Sequence, residues 1–268
     1  MATPLIALLT DFGEEDHFVP SLKAVIAGLH PQARVIDISH RVPAHDVRAA
    51  GFLLFACCRF FPAGTIFVAV VDPGVGTARR LLLVRTARHW FIAPDNGLLT
   101  LALEAEPAED VRELSASRFF LAARSTFEAR DKMAPAAAWL SLGIPAAEFG
   151  PVLTDWRKLR IAKPRLVGKN VAGEVVHVDR FGNLITNIPE SLVWDLDRVR
   201  GPAGCLLKIG RRSSLPPSAA YVSAPRGRPF FLGGSLGLVE VAVREGSASR
   251  LLRARAGERV EVSPRRRP

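Results

Sequence analysis

The chain changes rhythm near residue 160, and that change restricts it to a two-part architecture. Up to about residue 155, residues 5–10, 34–39, 65–71, 81–86 and 89–93 read as strands. Residues 19–30, 44–61, 97–104 and 134–142 between and after them read as helices. Strands alternating with helices predict a mainly parallel sheet covered on both faces. From about residue 161, short strand-like runs at 173–179, 184–188, 205–209, 229–232 and 238–243 follow one another, punctuated by Gly, Pro and Ser, with little that looks helical. That pattern predicts a small antiparallel sandwich or barrel. The expected organisation is therefore an α/β domain over 1–158, a basic, proline-bearing linker over 159–166, and an all-β, barrel-like domain over 167–268.

Composition narrows the class. At 268 residues and 49% hydrophobic content the chain has ample material for two cores. No run of 18 or more apolar residues is present, so no membrane-spanning helix is expected. The first residues lack a basic leader and run straight into a strand and an acid, which reads against a signal peptide. Three cysteines, two of them adjacent at Cys57 and Cys58, make no disulfide framework. These two lie in an apolar helical stretch, read as buried and inert, and fit a reducing cytoplasm. The net charge of +10 invites a nucleic-acid reading. Arginine greatly outnumbers lysine, however, and the densest basic stretches are the linker and the tail over 265–268, read as a frayed end. Neither interleaves the aromatics of a base-stacking surface, so nucleic acid is not the expected partner.

Acid-bearing turns at strand ends carry the chemistry. Asp72-Pro-Gly-Val-Gly-Thr-Ala-Arg79-Arg80 follows an apolar strand, and ligands of open α/β sheets bind outside the carboxyl ends of strands. A carboxylate and a guanidinium seven residues apart can hold a polar reactant there; an ordinary surface turn is the competing reading. After the first strand, Asp11 and Asp16 suit a ribose diol or an ammonium group, or else a helix N-terminus. Asp95 and Asn96 read as turn chemistry. Asp179 and Asn183 flank a Phe-Gly turn, either a plain hairpin or a site for an ammonium group or a purine edge. Phosphate loops, a dinucleotide fingerprint, a nucleophile elbow and zinc-spaced Cys/His pairs are all missing from the sequence.

Six motifs in order extend this reading: Thr10-Asp-Phe-Gly, Asp72-Pro-Gly-Val-Gly-Thr-Ala-Arg-Arg, Ala93-Pro-Asp-Asn-Gly-Leu-Leu, Thr126-Phe, Asp179-Arg-Phe-Gly-Asn-Leu-Ile-Thr-Asn-Ile, and Gly234-Ser followed by Glu240. The series resembles the S-adenosyl-L-methionine (SAM) hydrolase family, also called SAM hydroxide adenosyltransferases, relatives of fluorinase and chlorinase, and covers nearly the whole chain. The resemblance implies displacement at C5′ of the adenosyl group by water, giving adenosine and L-methionine. It implies no cofactor, SAM itself being the substrate, and a homotrimer with sites between subunits. Asp72 and Arg79 match the family's catalytic acid and arginine; halogenating relatives lack the acid, which favours water over halide. Asp11 matches the ribose acid. Asp16, Asp179 and Ser235 match the methionine side; Asn183, Tyr221, Glu240 and the backbone of Val243 match the adenine side.

One departure bears on activity. The family's Phe-His-Gly-Arg-Asp reads Phe127-Glu-Ala-Arg-Asp131 here, so the catalytic histidine is Glu128. A carboxylate cannot supply a neutral imidazole near pH 7. A non-catalytic SAM- or adenosine-binding protein is therefore the alternative to a hydrolase, with a halogenase or a nucleic-acid binder ranked below both.

Overall fold

The computed structural model describes residues 5–123, 125–196, 204–210 and 213–265; the last residues of the basic tail, 266–268, lie outside them. The chain divides into two compact units, Met1–Leu159 and Arg160–Pro268.

The first unit runs β1 (Leu5–Thr10), α1 (Phe18–Leu29), β2 (Arg34–Ser39), α2 (Val47–Cys58), β3 (Ile66–Val70), β4 (Leu81–Thr86), β5 (Trp90–Pro94), α3 (Thr100–Ala105), β6 (Ala108–Glu113) and α4 (Ala134–Ser141). They form one sheet in the order β2-β1-β3-β5-β4-β6. β1 pairs in parallel with β2 and β3, and β3 with β5, while β4 is antiparallel to both its neighbours. The central strands are continuous apolar runs because both faces are covered. Ile6, Leu8, Val68 and Ile92 pack with α1 and α4; Ala7, Leu9, Phe67 and Phe91 pack with α2 and α3. The helix after β1 thus covers one face and the helix after β2 the other. The topological switch point of such a sheet lies between β1 and β3, and a crevice opens at their carboxyl ends.

Local chemistry trims the expected helices. The 44–61 stretch helps form α2 only from Val47, because His45 sits at φ 66° and Asp46 caps the helix by accepting from the Ala49 N–H at 2.9 Å. The reading of Asp11 or Asp16 as a helix cap is overturned. α1 begins after His17 without a side-chain cap and has no acid in its first turn. Cys58 is buried and Cys57 half-buried; burial pushes the Cys57 thiol up to about 12, in keeping with an inert group.

The second unit contains β7 (Arg165–Val167), β8 (Asn170–Val178), β9 (Leu184–Pro189), α5 (Glu190–Leu196), β10 (Cys205–Ile209), β11 (Ser213–Leu215), β12 (Pro229–Gly233), β13 (Leu238–Val243), α6 (Ala248–Leu252) and β14 (Arg259–Pro264). The sheet order is β11-β10-β14-β8-β9-β13-β12, with β7 on β8 and all pairings antiparallel. After β11 the chain meets the far edge: the Phe231 N–H donates to the Pro216 carbonyl and the Ser218 N–H to the Phe231 carbonyl, nearly closing a barrel. Inward residues of alternating strands, among them Val171, Val175, Leu207, Val241 and Val262, fill it. The short helices α5 and α6 are the α-helices among the described residues here, in keeping with the expectation that little of this unit is helical. Among the described residues no helix is long and apolar enough to cross a membrane.

Candidate active site

β3 ends at Val70 and delivers Asp72 into the crevice beside the end of β1. The turn that follows is self-bonded. The Gly74 N–H donates to Asp72 Oδ1 at 3.2 Å and the Thr77 hydroxyl to the Gly74 carbonyl at 2.7 Å. This turn carries Arg79 back onto Asp72, with Nε at 2.8 Å and 2.7 Å from the two carboxylate oxygens. The floor is pinned from the next turn, where the Asn96 amide donates to the Val71 carbonyl at 2.8 Å. Asp95 binds Arg80 and accepts from the Arg157 N–H at 2.7 Å, so Asp95 and Asn96 are structural, as their turn chemistry suggested.

Arg79 is shared. Its Nη2 also donates to Glu128 Oε2, and Lys132 Nζ donates to the other Glu128 oxygen. Glu128 opens a π-helical turn, Ala129–Met133, that runs into α4. Pro135 has no N–H to continue the helical ladder, and the Asp131 carbonyl instead accepts from the Leu121 N–H at 2.8 Å. The side chains of Asp72, Arg79 and Glu128 are only 7%, 10% and 9% exposed. Burial pushes the Glu128 carboxyl up, but hydrogen bonds and charge from Lys132 and Arg79 outweigh it and leave Glu128 below the usual carboxylate range. Burial likewise opposes the Arg79 charge, and its two carboxylates more than restore it. A cleft of about 830 Å³ reaches the cluster at Glu128 and Lys132, with Gly76, Thr77, Ser125 and Thr126 among its other walls.

Asp11 stands at the end of β1, its carboxylate accepting from the His45 N–H at 2.8 Å. Phe12 meets Phe127 with centroids 5.5 Å apart, and Phe18 meets the same ring at 5.1 Å. That aromatic contact sets the Asp11 turn beside the Glu128 turn. Thr10 is held by buried His40, whose Nδ1 lies 2.8 Å from the hydroxyl. Asp16 is exposed in the segment leading to α1.

The second unit gathers its candidates in one place. Asp179, Asn183, Tyr221, Ser235, Glu240 and Val243 all line a cleft of about 990 Å³. Asp179 accepts from the Phe181 and Asn183 N–H groups at 2.9 Å and 2.8 Å, and from the Asn183 side-chain amide at 2.9 Å. It therefore shapes its own turn and aims Asn183. Gly182 allows the turn: it sits at φ 83°, and a Cβ there would stand 2.0 Å from Ser247 Oγ. The Tyr221 hydroxyl donates to Glu240 Oε1. Burial and the adjoining Glu240 carboxylate push the Tyr221 hydroxyl up, which keeps it a donor. Burial and the charge of Asp179 likewise raise Glu240 against the pull of Tyr221. The Tyr221 ring is edge-on to Phe230 with one side exposed, and the Val243 carbonyl accepts from the Gly246 N–H at 3.2 Å.

Sequence reasoning missed Lys132, His45 and His40. Lys132 was findable as a cation four residues beyond an acid, the spacing of a helical ion pair. His45 acts through its backbone amide and left no signal. Among the described residues no three His, Cys, Asp or Glu side chains are grouped to hold a metal ion.

Comparison with known proteins gives the family. Residues 6–150 match the family model of the SAM hydroxide adenosyltransferase N-terminal domain, and residues 173–261 that of its C-terminal domain. The chain is 37% identical over 265 residues to an (R)-S-adenosyl-L-methionine hydrolase of Thermus thermophilus, covering 96% of this chain and 98% of the relative. It is 38% identical to another from Salinispora arenicola, covering 98% of each. The crystal structure of an uncharacterized conserved protein from Thermotoga maritima superposes with a TM-score of 0.91 at 36% identity, over 96% of this chain and 99% of that one. With both units matched in order, the chain belongs to the SAM hydroxide adenosyltransferase family.

Proposed function

We propose that this chain hydrolyses SAM to adenosine and L-methionine. The observation that carries the reading is the Asp72–Arg79 pair at the sheet's switch point, in a chain that matches named hydrolases over nearly its whole length. A water oxygen bonds to C5′ as the C5′–S bond breaks, and the bonding pair leaves with sulfur as a neutral thioether. The sulfonium is already activated, so the protein's task is to hold water in line in a water-poor pocket. A carboxylate offers about four lone-pair sites. Gly74 and Arg79 contact both oxygens of Asp72, which fixes the orientation of the carboxylate that accepts from the water. The proton lost by the water passes to Asp72 and on to solvent. Two carboxylates beside the reacting centre disfavour a halide nucleophile.

The proposal extends to Asp11 on the ribose diol, Asp16, Asp179 and Ser235 near methionine, and Asn183, Tyr221, Glu240 and Val243 around adenine. It further holds that the protein acts as a cytoplasmic homotrimer with sites shared between subunits, without metal or organic cofactor. Light scattering tests the trimer, and a monomer at working concentration refutes it. Glu128 in the histidine's place favours one second reading, a non-catalytic binder of the same ligand. Incubation with excess SAM, with and without chloride or fluoride, followed by chromatography of the nucleosides, separates the two. Adenosine accumulating over many turnovers supports the hydrolase; bound SAM with no product supports the binder; a 5′-halogenated nucleoside refutes both.

A further inference from the structure

The reacting cluster holds one more charge than the family's set requires. Asp72 and Glu128 carry two negative charges, and Arg79 alone leaves the group at −1. Lys132 brings it to zero. Lys132 stands four residues beyond Glu128 across the π turn, with its side chain 16% exposed and its ammonium 5.6 Å from the Phe120 ring centroid. Glu128 is thus held from both sides, by Arg79 on Oε2 and by Lys132 on Oε1.

Charge balance matters to this reaction in particular. The substrate enters with a positive sulfur and loses that charge as the C5′–S bond breaks. The water attacks C5′ opposite sulfur, so this cluster lies on the water's side, where the balance of its charges decides how firmly Asp72 and the water are held. We propose that Lys132 is a positioning residue of the reacting site: with Glu128 it forms a neutral pair that stands in for a single uncharged side chain and keeps the Arg79 fork locked on Asp72. This rests on the hydrolase reading above. The charged groups facing Glu128 are Arg79, with Asp72 behind it, from the turn after β3, and Lys132 from its own turn. Arg130 and Asp131 are paired with each other, and Asp131 with Ser125.

Lys132→Met keeps the apolar stem and removes the charge. The acid limb of the pH profile of kcat should move to higher pH with KM for SAM unchanged, and Lys132→Arg should return it toward wild type. Carbon-13 NMR of labelled glutamate carboxyls, with Glu128 assigned through its loss in Glu128→Gln, reads the same pairing without catalysis. Its titration should move upward in Lys132→Met. A folded Lys132→Met in which Glu128 titrates as in wild type overturns the proposal, whatever the protein does to SAM. A moved titration with an unmoved kcat profile overturns it too. A moved titration in a protein that forms no adenosine leaves the ion pair standing and removes the hydrolase reading instead. Lys132→Gln gives the same outcomes should Lys132→Met fail to fold.

Discussion

Arg79→Met strips two carboxylates of their common partner. In the wild type, Arg79 Nε lies within 2.8 Å of both Asp72 oxygens while Nη2 reaches Glu128, and all three side chains are at most 10% exposed. Removing one member of a buried ion pair typically costs about 3–5 kcal/mol, chiefly because the remaining charge is left without a partner. Two carboxylates are affected here, but Lys132 still serves Glu128 and the cleft admits water. We therefore expect a loss of about 3 kcal/mol at pH 7, the bottom of that range. The pH dependence has a definite sign. Glu128 in the folded wild type sits below its ordinary carboxyl value. A carboxyl lowered on folding contributes stability above its unfolded pKa, and that contribution is lost as the pH falls through the folded value. The gap between wild type and variant should be widest near neutrality and narrow as the pH falls below about 5. Urea unfolding at a series of pH values measures it. Trp90, Trp139 and Trp156, three of the four tryptophans, lie in the first unit, so fluorescence follows that unit. A gap under about 1 kcal/mol at pH 7, the size expected of a surface ion pair, would refute the reasoning. So would a gap that widens into acid.

Asp72→Asn should slow adenosine formation by about 10²- to 10⁴-fold, the span of a positioned acid or base, while SAM still binds. Intact turnover would take Asp72 out of the reaction. Asp11→Ala should weaken adenosine binding by about 1–3 kcal/mol in calorimetry, the cost of removing a buried polar partner; unchanged affinity excludes it from the ribose. Gly182→Ala forces a side chain into a positive-φ position already filled by Ser247. It should lower stability by about 1–3 kcal/mol, seen as a fall in Tm, and an unchanged Tm would contradict the turn geometry.

The two-unit architecture was legible because apolar runs and their punctuation survive in sequence. The buried strands β1 and β3 and the boundaries of β4, β10 and β13 fall where the apolar pattern put them. β6 escaped notice because it is an edge strand carrying Glu109, Asp110, Arg112 and Glu113, and an edge presents charge where a central strand presents valine. β14 does alternate, with Val260 and Val262 buried, but it adjoins an arginine-rich tail that masked the pattern. α5 and α6 are seven and five residues long, too short for a helical period to declare itself. At the site, Asp72, Arg79 and Glu128 were visible as motif positions. The lysine showed only as a cation four residues beyond an acid; its meaning depends on 128–132 being a helical turn, which Pro135 and a charged Arg-Asp-Lys run obscured.

The π turn that carries Glu128 holds one residue more than an α-helical turn would, and this surplus acts as a setting of rotational phase. In an ordinary α-helix each residue advances the side-chain direction by about 100°. Glu128 at one end of the turn and the buried alanines of α4 at the other are therefore held at an angular offset that a regular helical turn would not give, and this offset aims Glu128 at Arg79.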